Sequence, residues 1–285
     1  MMGRWMRSLG ILLATVLATV GLTGGVAQAA DINSWDDVIT AVNGLGDGES
    51  TELSIESEIT VENGAQPLVV PAGKRVTLTG SGKISGNGSP LFTVEEGGTL
   101  TLSGPTFTNA QFSVAGDMNL VGGAIRDTAV TGPVIFVNGG TLTIGGDAEF
   151  SGNNVSDESG ELRPAGVEKE KYSPITAYNG TVRVEGGKLS GNHGLRYGGA
   201  IGLWARDGGT PTFEMTGGTL IGNVVSHPNY NGRGGAVYGE RTSVNITGGT
   251  VQENITEIGA GLAFINSDVA LSGGLVVQGN NNGDY

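Results

Sequence analysis

The chain contains no cysteine. Disulfides and thiolate metal sites are therefore excluded, and stability has to come from core packing and backbone hydrogen bonding. Basic residues are scarce, with 15 Lys and Arg against 28 Asp and Glu, and aromatic residues are only 6% of the chain. A surface of this sign repels nucleic acid and anionic lipid. It also disfavours an anionic polysaccharide unless calcium bridges the two. Beyond residue 30 no run of eighteen apolar residues occurs, so no segment of the later chain reads as a membrane-spanning helix.

The first thirty residues have a different character. Arg4 and Arg7 precede an apolar run, Ile11 to Val20, and Ala27-Gln28-Ala29 has the small-x-small form of a cleavage site. This layout predicts a secretory signal peptide over 1–30 and an extracellular or cell-surface location. Gly21, Gly24 and Gly25 break the run too early for an anchor helix. Without this segment the chain keeps 13 basic and 28 acidic residues, a net charge of −15.

What the sequence has in excess is glycine, 53 of 285 residues, several times the usual share. Such a chain is either disordered or built from many tight turns, and the periodicity favours turns. Residues 33–43 are the one helical stretch expected. Asn33 or Ser34 caps it, Ser34 and Asp37 stand at capping-box spacing, and Trp35, Val38, Ile39 and Val42 form one apolar stripe that ends at Gly44. Placed at 31–50, this helix would cover the open end of a repeat array. From residue 51 the period becomes two. Leu53–Val61, Arg75–Thr79, Leu91–Val94, Thr99–Leu102 and segments onward to Val269–Leu271 are rich in β-branched residues and Leu, with Gly, Asn and Pro between them.

Three phrases recur. The first is apolar-x-x-Asn, ending at Asn87, Asn153, Asn192, Asn223, Asn254 and Asn280. The second is a glycine-rich strand start: Gly198-Gly199-Ala200-Ile201, Gly234-Gly235-Ala236-Val237 and the looser Gly259-Ala260-Gly261-Leu262. The third is Gly-Gly-Thr-apolar, beginning at Gly97, Gly139, Gly217 and Gly248. Equivalent positions near Thr77, Thr99, Asn119 and Thr141 are 22, 20 and 22 residues apart, and those at Thr181, Thr212, Ser243 and Asp268 follow at 40, 31, 31 and 25. A coil of about 20 residues with loops inserted at one corner accounts for both sets. The expectation is a right-handed parallel β-helix of about nine coils over 51–285, with coils about 4.8 Å apart along a rod on the order of 40 Å long. Its inward apolar rows and stacked corner Asn residues are read as structural, with Asn tolerating left-handed backbone.

Phe150-Ser151-Gly152-Asn153 together with Gly198–Ile201 and Gly234–Val237 resembles the repeats of chlamydial polymorphic outer-membrane proteins and related bacterial β-helix surface proteins. The resemblance covers roughly residues 84 to 280. It implies the pectin-lyase-like superfold and a secreted, adhesin-like module that binds glycans or surface components. The alternative within that superfold is a polysaccharide lyase or hydrolase.

An enzyme of that kind needs clustered carboxylates. Asp36-Asp37 is explained by the helix start, and Asp207, Glu214 and Asp268 are scattered. No catalytic residue, cofactor or metal ligand is assigned. His193, Arg196, His227, Tyr230 and Arg233 would share a groove, suited to a glycan, if their loops leave the same corner. Residues 154–174, mixed in charge, read as a solvated loop. Thr77, Thr99 and Thr141 hint at a flat threonine face, which ordinary strand propensity explains. The last residues follow a complete repeat phrase, so end-to-end association or continuation into a longer chain is expected.

Overall fold

A computed structural model describes residues 32–156, 171–225 and 231–282. The expected signal segment, most of the charged loop, His227 and Tyr230 lie outside the described residues.

The described chain is a parallel β-helix. Nine successive levels of one broad sheet are in register through Ser50, Arg75, Thr99, Asp117, Thr141, Thr181, Thr212, Ser243 and Asp268. An eight-stranded sheet runs from Leu68–Val70 to Leu262–Ile265, and a six-stranded sheet from Ala129–Thr131 to Asn281–Asn282. Each strand pairs with its equivalent one turn later, which is how a parallel sheet forms here without helical crossovers.

The register corrects the expected alignment. Thr77 pairs with Thr101, Asn119 and Thr143 in turn, so the early steps are 24, 18 and 24 residues. A slip of two residues keeps every side chain on its face, and the alternating pattern alone does not distinguish the two alignments. The inserted residues also occupy more than one corner. Long stretches of sequence separate Ser156 from Ile175, Gly194 from Ile201 and Val225 from Val237, each pair joining the six- to the eight-stranded sheet, while 205–211 extends the return from the eight-stranded sheet to the broad one.

The helix Trp35–Asn43 closes the first coil. Ser34 Oγ accepts from the Asp37 N–H at 3.2 Å and Asp37 Oδ2 accepts from the Ser34 N–H at 2.9 Å, completing the capping box. Hydrogen bonding to the carboxylate, from the Ser34 hydroxyl first and then from the Asn33 and Ser34 N–H groups, holds the Asp37 carboxyl below its usual pKa. Trp35, Val38 and Val42 are buried. Trp35 Nε1 donates to the Gln66 carbonyl at 2.9 Å, and its ring meets Phe92 edge-on at 5.4 Å. Gly44 ends the helix in right-handed rather than left-handed backbone, with φ −74°.

Inside, equivalent side chains stack from coil to coil. Leu142, Val182, Phe213 and Val244 form one such row, and Ile144, Val184, Met215 and Ile246 another. All eight are buried. The rows continue to Val269 and Leu271 on the ninth coil, where exposure rises to 41% and 59%.

Candidate interaction surface

The asparagine line forms a ladder from Asn153 to Asn280. Each side-chain amide donates to the Oδ1 of the next: Asn153 to Asn192 at 3.0 Å, then Asn192 to Asn223, Asn223 to Asn254 and Asn254 to Asn280, all at 2.9 Å. The same oxygens accept the main-chain N–H of the preceding Asn at 2.9 to 3.1 Å. The left-handed residue at this corner is not the Asn but the one before it: Gly152, Gly191, Gly222, Glu253 and Gly279 have φ between 56° and 62°. Asn87 stands apart. Its amide donates to the Glu62 carbonyl and its Oδ1 accepts from the Ser89 N–H, a local turn. The second coil passes directly into the eight-stranded sheet without a strand of the six-stranded one, so no Asn corner stacks on Asn87.

Of the residues expected to share a groove, the structure brings Arg196 and Arg233 together on adjacent coils. The Arg233 N–H donates to the Arg196 carbonyl at 2.9 Å, and Tyr197 and Arg233 are bridged as neighbours on adjacent coils. His193 sits on the six-stranded sheet with Nδ1 3.1 Å from Asn154 Oδ1. Burial pushes its imidazole pKa down, so it is neutral at pH 7.

Sequence reading missed the main feature of this corner. Phe136, Tyr178, Trp204 and Tyr238 form a buried aromatic cluster separate from the solenoid core. They lie on the outward rows of the eight-stranded sheet, alternating with the inward Ile135, Ala177, Leu203 and Val237. Centroids are 6.1 Å apart from Phe136 to Tyr178, 5.7 Å from Tyr178 to Trp204 and 6.0 Å from Trp204 to Tyr238. Gly202 makes this packing possible: a Cβ there would lie 2.1 Å from Trp204 Cη2, so the indole lies across the bare backbone. One signal was present. Ile175–Tyr178 and Ile201–Trp204 are buried at every position, and strands covered on both faces lose the polar alternation.

Tyr197 packs on this cluster, 4.6 Å from Tyr238 and edge-on to Trp204 at 6.4 Å. The Arg196 guanidinium lies 5.0 Å from the centre of the Tyr197 ring, a cation–π contact. Burial first and then the Glu240 charge push the Tyr238 pKa up to about 12, with nearby Arg233 acting in the opposite direction. The phenol is therefore a neutral hydrogen-bonding group at physiological pH. Trp204 Nε1 is buried with no hydrogen-bond partner.

Elsewhere Lys83, Arg126, Arg183, Arg206 and Arg241 each pair with a carboxylate. Glu214 is the partner of Arg183 at 2.5 Å. No group of three or more His, Asp or Glu positioned for a metal occurs among the described residues. Comparison with protein-family models, with curated proteins and with solved structures gave no match.

Proposed function

We propose that this chain is a secreted or cell-surface, adhesin-like module that binds glycans or other surface components at the corner between its six- and eight-stranded sheets. The observation that carries this reading is the aromatic cluster outside the main core, whose partly exposed edge presents Tyr197, Arg196 and Arg233 from adjacent coils. Solenoid scaffolds supply rigid lateral surfaces of this kind. Aromatic rings with arginine at their edge are also the residue types that dominate binding energy at interfaces.

The test is a glycan-array screen of the purified protein with matched variants. Tyr197→Ala and Arg233→Gln are expected to weaken whatever binding is found. Thr101→Ala, on the outer face of the broad sheet, is expected to leave it unchanged. Equal binding by all three variants would place the contact surface elsewhere. Release of products from pectin or host-type glycans in a lyase or hydrolase assay would replace this reading with an enzymatic one.

A further inference from the structure

We infer that the rim formed by Tyr197 and Arg233, beside the buried Tyr238, is a carboxylate site, and that the ligand it takes is a terminal acidic sugar. The inference rests on the reading of this corner as the contact surface.

Three observations lead to it. First, the groups that converge here are rich in donors: Arg233 is bridged to Tyr197 on the adjacent coil, and the Tyr197 ring packs on Tyr238 and edge-on to Trp204, whose Nε1 is buried and unpartnered. A guanidinium fork matches the two oxygens of a carboxylate. Second, Arg233 makes no ion pair with a carboxylate among the described residues, although the chain carries almost two acids for each base. Two acids nearby are engaged: Glu240 lies 3.9 Å from Arg241, and Glu257 accepts the Gly232 N–H. The net negative charge of the rest of the surface is screened beyond about 8 Å at physiological salt. It therefore does not decide binding at a local arginine. Third, the site is compact. Phe136, Tyr178, Trp204 and Tyr238 are only 3 to 7% exposed, so no open trough of rings runs along the helix axis for an internal unit of a long polymer. The accessible rim spans two coils, about 4.8 Å, which suits one carboxylate and the adjoining hydroxyls of a chain-end sugar.

Calorimetric titration of the full chain with 3′-sialyllactose tests this, with sialyllactose methyl ester, lactose, trigalacturonate and polyglutamate as comparisons. All titrations are run with EDTA at 50 and 200 mM NaCl. Sialyllactose is expected to bind at least tenfold more tightly than its methyl ester or lactose, and more weakly at the higher salt. Arg233→Gln should abolish that preference, Tyr238→Phe should reduce it, and Arg233→Lys should retain only part of it. Circular-dichroism melts identify variants that remain folded. Equal affinity for the methyl ester, or no effect of a folded Arg233→Gln, overturns the carboxylate site while leaving a neutral-glycan surface possible. Tighter binding of trigalacturonate overturns the terminal-sugar assignment. Binding of polyglutamate alone overturns the sugar ligand in favour of an acidic protein. Failure of every saccharide here and on the array removes the glycan reading altogether.

Discussion

The Asn192 side-chain amide and the Asn192 main-chain N–H both donate to one atom, Asn223 Oδ1, at 2.9 and 3.1 Å. Asn223 in turn donates to the Leu189 carbonyl and to Asn254 Oδ1. It is fully buried, so water does not replace these bonds. Asn223→Ala is therefore expected to lower stability by about 3 kcal/mol, the upper end of the cost of leaving a buried polar group unpaired. Asn87→Ala, at an equivalent place in its repeat phrase but outside the ladder, should cost less than about 0.5 kcal/mol. Urea denaturation of both variants checks the contrast, and equal losses would show that the ladder contributes nothing beyond a local turn.

Glu253 occupies, with φ 56°, the corner position that glycine fills at Gly152, Gly191, Gly222 and Gly279. Left-handed backbone costs a residue with a Cβ about 1 kcal/mol relative to glycine. Glu253→Gly should therefore stabilise the protein by about that amount, read as a rise in Tm of roughly 2–4 °C. Gly222→Ala is the reverse experiment. A Cβ at Gly222 meets nothing within 4 Å, so its expected loss of about 1 kcal/mol is conformational rather than steric. A neutral result for both would remove the backbone argument.

The charged insertion is shorter than the sequence implies. Asn154–Ser156 is a strand paired with Ala129–Thr131, and Tyr172 and Ser173 are buried, with Ser173 Oγ donating to the Tyr197 carbonyl. Deleting 157–170 with a short Gly-Ser bridge should leave the circular-dichroism spectrum and Tm nearly unchanged. Deleting 154–174 should lower Tm markedly, since it removes a paired strand and the Tyr172 side chain. Comparable behaviour of the two deletions would contradict this division.

On the ninth coil Val269, Leu271 and Val277 continue inward rows yet are 41 to 59% exposed. A chain ending at Tyr285 is expected to associate through this edge. The surface charge opposes that association at low salt and is screened at high salt. Light scattering should therefore show the mass rising from 20 to 500 mM NaCl, and Leu271→Asp should suppress the rise. In a longer chain whose next coil covers the edge, the salt response should disappear. A constant monomer mass for the shorter chain would show that the edge is not adhesive.

The sequence by itself determined the architecture. A period of two, glycine at the corners and a recurring apolar-x-x-Asn leave few alternatives to stacked parallel coils, because each repeat has to bury its apolar face on the next. The capping helix was legible from Ser34, Asp37 and the stripe through Trp35 for the same local reason. Only the tertiary structure decided the register, since Thr77 against Thr101 or Thr99 keeps the same faces inward. It also separated Asn87 from the five Asn residues that stack, because stacking depends on what the next coil offers at that level. The outer cluster of Phe136, Tyr178, Trp204 and Tyr238 draws on four coils and on the space above Gly202. Its members are far apart in sequence, and only the superposition of coils makes them neighbours.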